Sequence, residues 1–194
     1  MKKIWIVGLA MALMLGGVAS SATAAPYVSG SFGLVSMNDS DISAPGFSAE
    51  VSFDPGFGFI AAVGNEFDGL RGEIEMAYRT NDVDKISSGG FSDSVNGDIS
   101  SLAVMGNLLV DLAVSETVRP FLGAGIGLAN VDLDGDEDDT VFAYQAIAGL
   151  AFPLTHVTTL DLQYRYFATA DADFDGAEVE YQTHNFFAGL RYNF

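Results

Sequence analysis

The chain has 194 residues, with 22 glycines, 15 phenylalanines and 7 tyrosines, and carries 26 acidic side chains against 8 basic ones, a formal net charge of −18 at pH 7. So large an excess of negative charge excludes nucleic acid as a partner, because the phosphates would be repelled rather than neutralised. Cysteine is absent, which removes both a disulfide framework and lipid attachment at a cysteine.

In chain order, Lys2 and Lys3 precede an apolar run over residues 4–18, followed by small residues and the A-x-A sequence Ala22-Thr23-Ala24. This pattern is that of a secretory signal peptide, residues 1–24, with cleavage expected after Ala24. Residues 25–194 then form a single domain. Beyond the signal no apolar run is long enough for a membrane-spanning helix. The hydrophobic residues recur instead at every second position, the period of a strand with two unlike faces.

Eight such strands are expected. The first covers 27–35, with Val28, Gly30, Phe32 and Leu34 on its apolar face; the second covers 57–66, with Phe57, Phe59, Ala61 and Val63. Asp68-Gly69 is a two-residue hairpin signal. The third covers 70–80 and the fourth 100–112. The fifth, 120–130, alternates Leu122, Ala124, Ile126 and Leu128 with Gly123, Gly125 and Gly127. The sixth covers 141–152, the seventh 159–167 and the eighth 181–194. Each is near the ~9–11 residues that a tilted membrane strand needs. Residues 47–53 also alternate; a ninth strand would be odd in number, so they are read as an ordered extension of the first long loop. Short turns near 67–69, 113–119 and 153–158 alternate with long segments near 36–56, 81–99, 131–140 and 168–180.

The expected fold is therefore all-β: an eight-stranded antiparallel up-and-down transmembrane barrel, apolar outside and polar inside. A soluble sandwich or lipocalin-like barrel with its faces reversed is the competing reading. Against it stands an outer face poor in charge. Tyr78, Tyr144, Tyr164 and Tyr166 are expected near the outer rim, with Phe152, Tyr192 and Phe194 near the inner one, as paired aromatic girdles. Leu190, Tyr192 and Phe194, at the end of the chain, look like the signal read by the outer-membrane assembly machinery.

The inward positions carry nearly all the charge in the strands: Arg71, Glu73, Glu75, Arg79, Asp111, Asp161, Arg165 and Arg191. Buried charges persist only when paired and hydrogen-bonded. An eight-stranded barrel is just wide enough for side chains to fill. A salt-bridged plug is thus preferred over a gate whose pairs exchange partners. Gly123, Gly125 and Gly127 are expected to leave room for arginine side chains or water.

Most of the acids fall in the long segments. Asp132, Asp134, Asp136 and Asp138 alternate as hard-cation ligands do, but without the spacing of an EF-hand. A solvated acidic surface is the preferred reading; no firm metal site and no cofactor is expected, only Ca²⁺ or Mg²⁺ held loosely. Such ions would bridge the acids to lipopolysaccharide phosphates.

The segments Gly58-Phe59-Ile60-Ala61-Ala62-Val63-Gly64, Asp68-Gly69-Leu70-Arg71-Gly72-Glu73-Ile74-Glu75, Leu160-Asp161-Leu162-Gln163-Tyr164-Arg165-Tyr166-Phe167 and Gly189-Leu190-Arg191-Tyr192-Asn193-Phe194 resemble the opacity-type surface antigen and porin-like family of outer-membrane β-barrels. Pro120-Phe121-Leu122-Gly123-Ala124-Gly125-Ile126-Gly127 belongs with them. The architecture is also similar to the transmembrane domain of outer membrane protein A. The resemblance implies bacterial outer-membrane location, periplasmic mature termini, extracellular long loops, and a structural or interaction role or a small pore.

The expected function is a structural or surface-interaction barrel displaying acidic loops; a narrow cation-preferring pore is the alternative. Expected partners are outer-membrane lipid, lipopolysaccharide and the assembly machinery; the residues do not specify an extracellular partner. A lipid A-modifying enzyme is the remote third class. His184 and His156 are its only histidines, and neither forms a recognisable triad or dyad.

Overall fold

The computed structural model describes residues 25–37, 40–44, 47–53, 55–88, 91–93, 97–133, 137–170, 172–174, 177–179 and 181–194. The expected signal segment, Asp134 and Asp136 lie outside the described residues. Eight strands form the staves: β1 (Ala25–Met37), β4 (Gly56–Phe67), β5 (Leu70–Ser88), β7 (Gly97–Asp111), β8 (Arg119–Leu133), β9 (Glu137–Pro153), β10 (Thr158–Thr169) and β13 (Gln182–Asn193). Between them lie β2 (Ser40–Ala44), β3 (Phe47–Phe53), β6 (Phe91–Asp93), β11 (Ala172–Phe174) and β12 (Ala177–Val179).

Every stave pairs antiparallel with its neighbour, and β1 meets β13 to close the circuit. One rung followed round the barrel runs Tyr27, Gly64, Glu73, Asn107, Gly125, Gln145, Phe167, Thr183 and returns to β1 at Met37, ten residues along. That offset is the stagger that tilts the strands and closes the sheet without an edge.

One rim carries tight turns. Asp68 and Gly69 have φ of 47° and 81°, the left-handed pair that a two-residue hairpin demands. At the turn before β10, Thr155 Oγ1 accepts from the Thr158 amide at 3.0 Å. The opposite rim carries the long connections, and here the strands outrun the expected bounds. β5 is 19 residues long and β9 is 17. β3 is not a ninth stave: it pairs with β2 and with β5 between Val83 and Ser88, above the closed circuit. The loop expected at 131–140 is mostly ladder, with Val131 opposite Asp139 and Asp132 opposite Asp138.

Outward positions are apolar throughout: Leu34, Leu108, Leu122, Ile126 and Leu190 are all exposed. In water such a surface would aggregate; in lipid it is the solvated face. Among the described residues no helix is long and apolar enough to cross a membrane.

Candidate functional site: the charged lumen

Parity sends the charged side chains of β5, β7, β10 and β13 inward, where they meet in two tiers. Nearest the turn rim, Arg71 donates from Nε and Nη2 to Asp111 Oδ2 and Oδ1, both at 2.8 Å, a two-pronged pair of the strong kind. The Arg71 guanidinium lies 4.6 Å from the Phe121 ring centroid. Arg191 grips Asp161 in the same way, at 3.1 and 3.2 Å, and reaches Glu66 at 3.4 Å.

The second tier centres on Arg165, which pairs Glu75 through Nη1 and approaches Glu73 Oε1 at 3.7 Å. Asn107 Nδ2 donates to Glu75 at 2.7 Å and to Glu73 at 3.0 Å. Gln145 Nε2 donates to Asn107 Oδ1 at 2.7 Å, and Tyr27 Oη to Glu73 Oε2 at 2.8 Å. Both glutamates, Asn107, Gln145 and Arg165 are buried, so the two negative charges are held by one guanidinium and several amide and hydroxyl donors.

Two of these bonds span a strand. Asn107 on β7 and Gln145 on β9 flank Gly125 of β8, and Tyr27 on β1 and Glu73 on β5 flank Gly64 of β4. A Cβ at Gly125 would run into Asn107 Oδ1, and one at Gly64 into the Tyr27 ring. The glycines are bare because the network crosses over them. This corrects the expectation for β8: its glycines give room to Leu109, to Asn107 with Gln145, and to Met105, not to arginine.

Arg79 requires a second correction. It faces the lumen and is fully buried, yet it joins no ion pair, and its three nitrogens have no hydrogen-bond partner among the described residues. Its guanidinium lies 4.0 Å from the Phe167 ring centroid, and Ser101 is its cross-strand partner. Toward the loop rim the lumen is filled by a buried cluster that includes Met37, Ala103, Met105, Ala129, Ala143, Phe167 and Tyr181. The ion pairs are therefore confined to one half of the interior rather than running along its whole length, and the other half mixes this cluster with buried Asn81, Ser101, Asn130, Thr183 and Asn185.

Alternation alone would have placed Tyr27, Asn107 and Gln145 inward. What it could not show is that Tyr27 and Glu66 are network members, since each reaches over an intervening strand, Tyr27 over β4 to Glu73 and Glu66 over β1 to Arg191.

On the outside, Tyr78, Tyr144, Tyr164, Tyr192 and Phe194 are exposed, and Phe152 and Tyr166 half-buried. Tyr192 and Phe194 pack edge to face, 5.4 Å between centroids, and the Phe194 amide donates to Pro26 O at 3.0 Å. Phe32, Phe57 and Phe59 add an outward cluster that the girdle expectation omitted; the Phe32 and Phe59 centroids are 4.8 Å apart. His184 hydrogen-bonds through Nδ1 to the Tyr164 phenol at 2.6 Å on this outer face. His156 lines a polar cavity of about 260 Å³ at the turn rim, with Glu66, Asp111, Arg119 and Arg191. Among the described residues no cluster of three His, Cys, Asp or Glu side chains could hold a metal.

A closed eight-stave barrel with a greasy outside and a hydrogen-bonded charged core is the structure that a family model for the outer membrane protein beta-barrel domain also finds, matching residues 6–194. The chain belongs to that family. Solved structures similar in fold include Neisserial surface protein A (TM-score 0.62, 20% identity, 87% of this chain and 97% of that one). Others are OprG of Pseudomonas aeruginosa (0.59, 15%, 89% and 96%) and OprH of P. aeruginosa (0.52, 19%, 88% and 99%). No curated protein matches the sequence significantly. The protein is thus an outer-membrane β-barrel of eight strands, similar to these in fold.

Proposed function

We propose that this barrel is a surface-display protein: a sealed membrane anchor whose long-loop rim faces outside the cell and whose tight turns face the periplasm. The observation that carries the reading is the double closure of the lumen. The Arg–carboxylate tiers fill one half, and the cluster around Met37, Phe167 and Tyr181 fills the other. A filled interior leaves the exposed rim as the working surface. One relative is by name a surface protein, which fits this placement. At the rim the sequence gathers Asp132, Asp134, Asp136, Glu137, Asp138 and Asp139, with Asp171, Asp173, Asp175, Glu178 and Glu180 in the last loop. So acidic a surface contacts lipopolysaccharide phosphates through Ca²⁺ or Mg²⁺, or selects basic extracellular partners.

The reading assigns no catalysis. His184 is engaged with Tyr164 on the lipid face. Among the described residues, neither histidine lies within hydrogen-bonding distance of a hydroxyl nucleophile and a carboxylate together.

An epitope inserted after Gly135 tests the orientation. Intact cells should bind its antibody without permeabilisation, and labelling only after permeabilisation would refute it. Calorimetry with Ca²⁺ on the refolded protein should show saturable heat; no heat beyond ionic screening would remove the divalent bridge.

A further inference from the structure

The outer wall carries a groove of about 670 Å³ that crosses four adjoining staves, β9, β10, β13 and β1. Phe32, Leu34, Leu150, Leu162, Tyr164 and Phe186 wall it, and all six are exposed. The small side chains of Ala148 and Ala188 keep its floor low. The ladder sets Leu34 beside Phe186, Phe186 beside Tyr164, and Tyr164 beside Ala148, so the groove runs across the lipid-facing side of the sheet.

Toward the loop rim this face turns polar at one level. The outward position after Leu34 is Ser36, the one before Phe186 is His184, and the one after Tyr164 is Tyr166; Ser36 and Tyr166 are both cross-strand partners of His184. His184 Nδ1 and Tyr164 Oη are 2.6 Å apart, and Tyr166 Oη donates to Gln182 Oε1 at 3.0 Å. The His184–Tyr164 pair keeps a donor to spare whichever atom gives the proton: Nε2–H when the phenol donates, the phenol O–H when Nδ1 does. The next position round the barrel at this level is Ala146, so no carboxylate on the row Ser36, His184, Tyr166, Ala146 would repel an anion. An apolar trough that ends at hydroxyl and imidazole donors, where the wall passes from apolar to polar, matches the two parts of a membrane lipid. A headgroup phosphate is the acceptor such donors hold most strongly.

We infer that this face seats one diacyl lipid of the leaflet that meets the loop rim. An acyl chain lies in the groove, and the headgroup phosphate accepts from the His184–Tyr164 pair and from Ser36.

The test uses the refolded protein in neutral maltoside micelles and three probes: didecanoyl phosphatidic acid, didecanoylglycerol and glycerol phosphate. The readout is the ring NMR signals of the two histidines, with His156 at the opposite rim as internal control. Phosphatidic acid should shift the His184 signals saturably and leave His156 unmoved. Didecanoylglycerol, matched in its chains, should bind roughly tenfold more weakly, a hydrogen bond to a charge being lost. Glycerol phosphate, matched in its head, should not shift His184. Phosphatidic acid should also raise the thermal midpoint. His184→Phe should abolish its advantage over didecanoylglycerol in that assay, and Ala188→Leu, which fills the groove floor at an exposed position, should weaken its binding severalfold. Equal responses to the two diacyl probes would mean an unselective lipid boundary. That result, a His184 signal indifferent to phosphatidic acid, a shift with glycerol phosphate alone, or unchanged binding by the Ala188 variant would each overturn the assignment.

Discussion

Arg165 is the side chain on which the second tier depends. It is buried, it serves two glutamates, and Asn107, Gln145 and Tyr27 complete their shells. Arg165→Ala takes from Glu73 and Glu75 the one guanidinium that pairs with both, which should cost about 3–5 kcal/mol, the range for breaking a buried pair. Urea unfolding of the refolded protein in detergent or lipid measures this; an unchanged midpoint would mean that the glutamates are hydrated. Inwardness was legible in the sequence because alternation assigns a side, and every charged position from Arg71 to Arg191 lies on the side expected. Alternation says nothing of height or reach. The isolation of Arg79 was hidden for that reason, although Arg79 is only four residues from Glu75 on the same face of β5. Tyr27 and Glu66 were missed for the same reason, their partners being set by the ten-residue stagger of the closed sheet.

At the level of the strand, glycine has opposite meanings on the two faces. Gly125 faces inward beneath the Asn107–Gln145 bond, whereas Gly72 faces outward and a Cβ there would meet nothing within 4 Å. Gly125→Ala should therefore destabilise by about 1–3 kcal/mol through overpacking. Gly72→Ala should be neutral or should stabilise by up to about 1 kcal/mol by restricting the unfolded chain. Denaturant midpoints of the two variants, compared in the same detergent, decide this; equal losses would contradict the crossing-over role of Gly125. The staves themselves were legible to within a few residues at the turn rim, where Asp68-Gly69 and Pro153 mark the ends. At the other rim β5 continues to Ser88 and β9 begins at Glu137. There the apolar alternation in the sequence lapses, and pairing with β3, β6 and β8 supplies the order instead.

The molecule as a whole separates its charges by region. Its wall is apolar, its core sets Arg71, Arg79, Arg165 and Arg191 against Glu73, Glu75, Asp111 and Asp161, and most of the other acids in the sequence fall in the long connecting segments. Asp132 and Asp138, expected along one alternating loop, are instead opposite each other in a ladder. The central claim is that the lumen is closed. Single-channel recording of the refolded protein, residues 25–194, in planar bilayers at several salt concentrations tests it most directly. Protein shown to be folded and inserted should pass no steady current, and Arg165→Ala should, if it folds, open flickering conductance. Steady cation-selective steps from the unaltered chain would contradict the account and make the Arg165–Glu75 tier a gate instead of a plug.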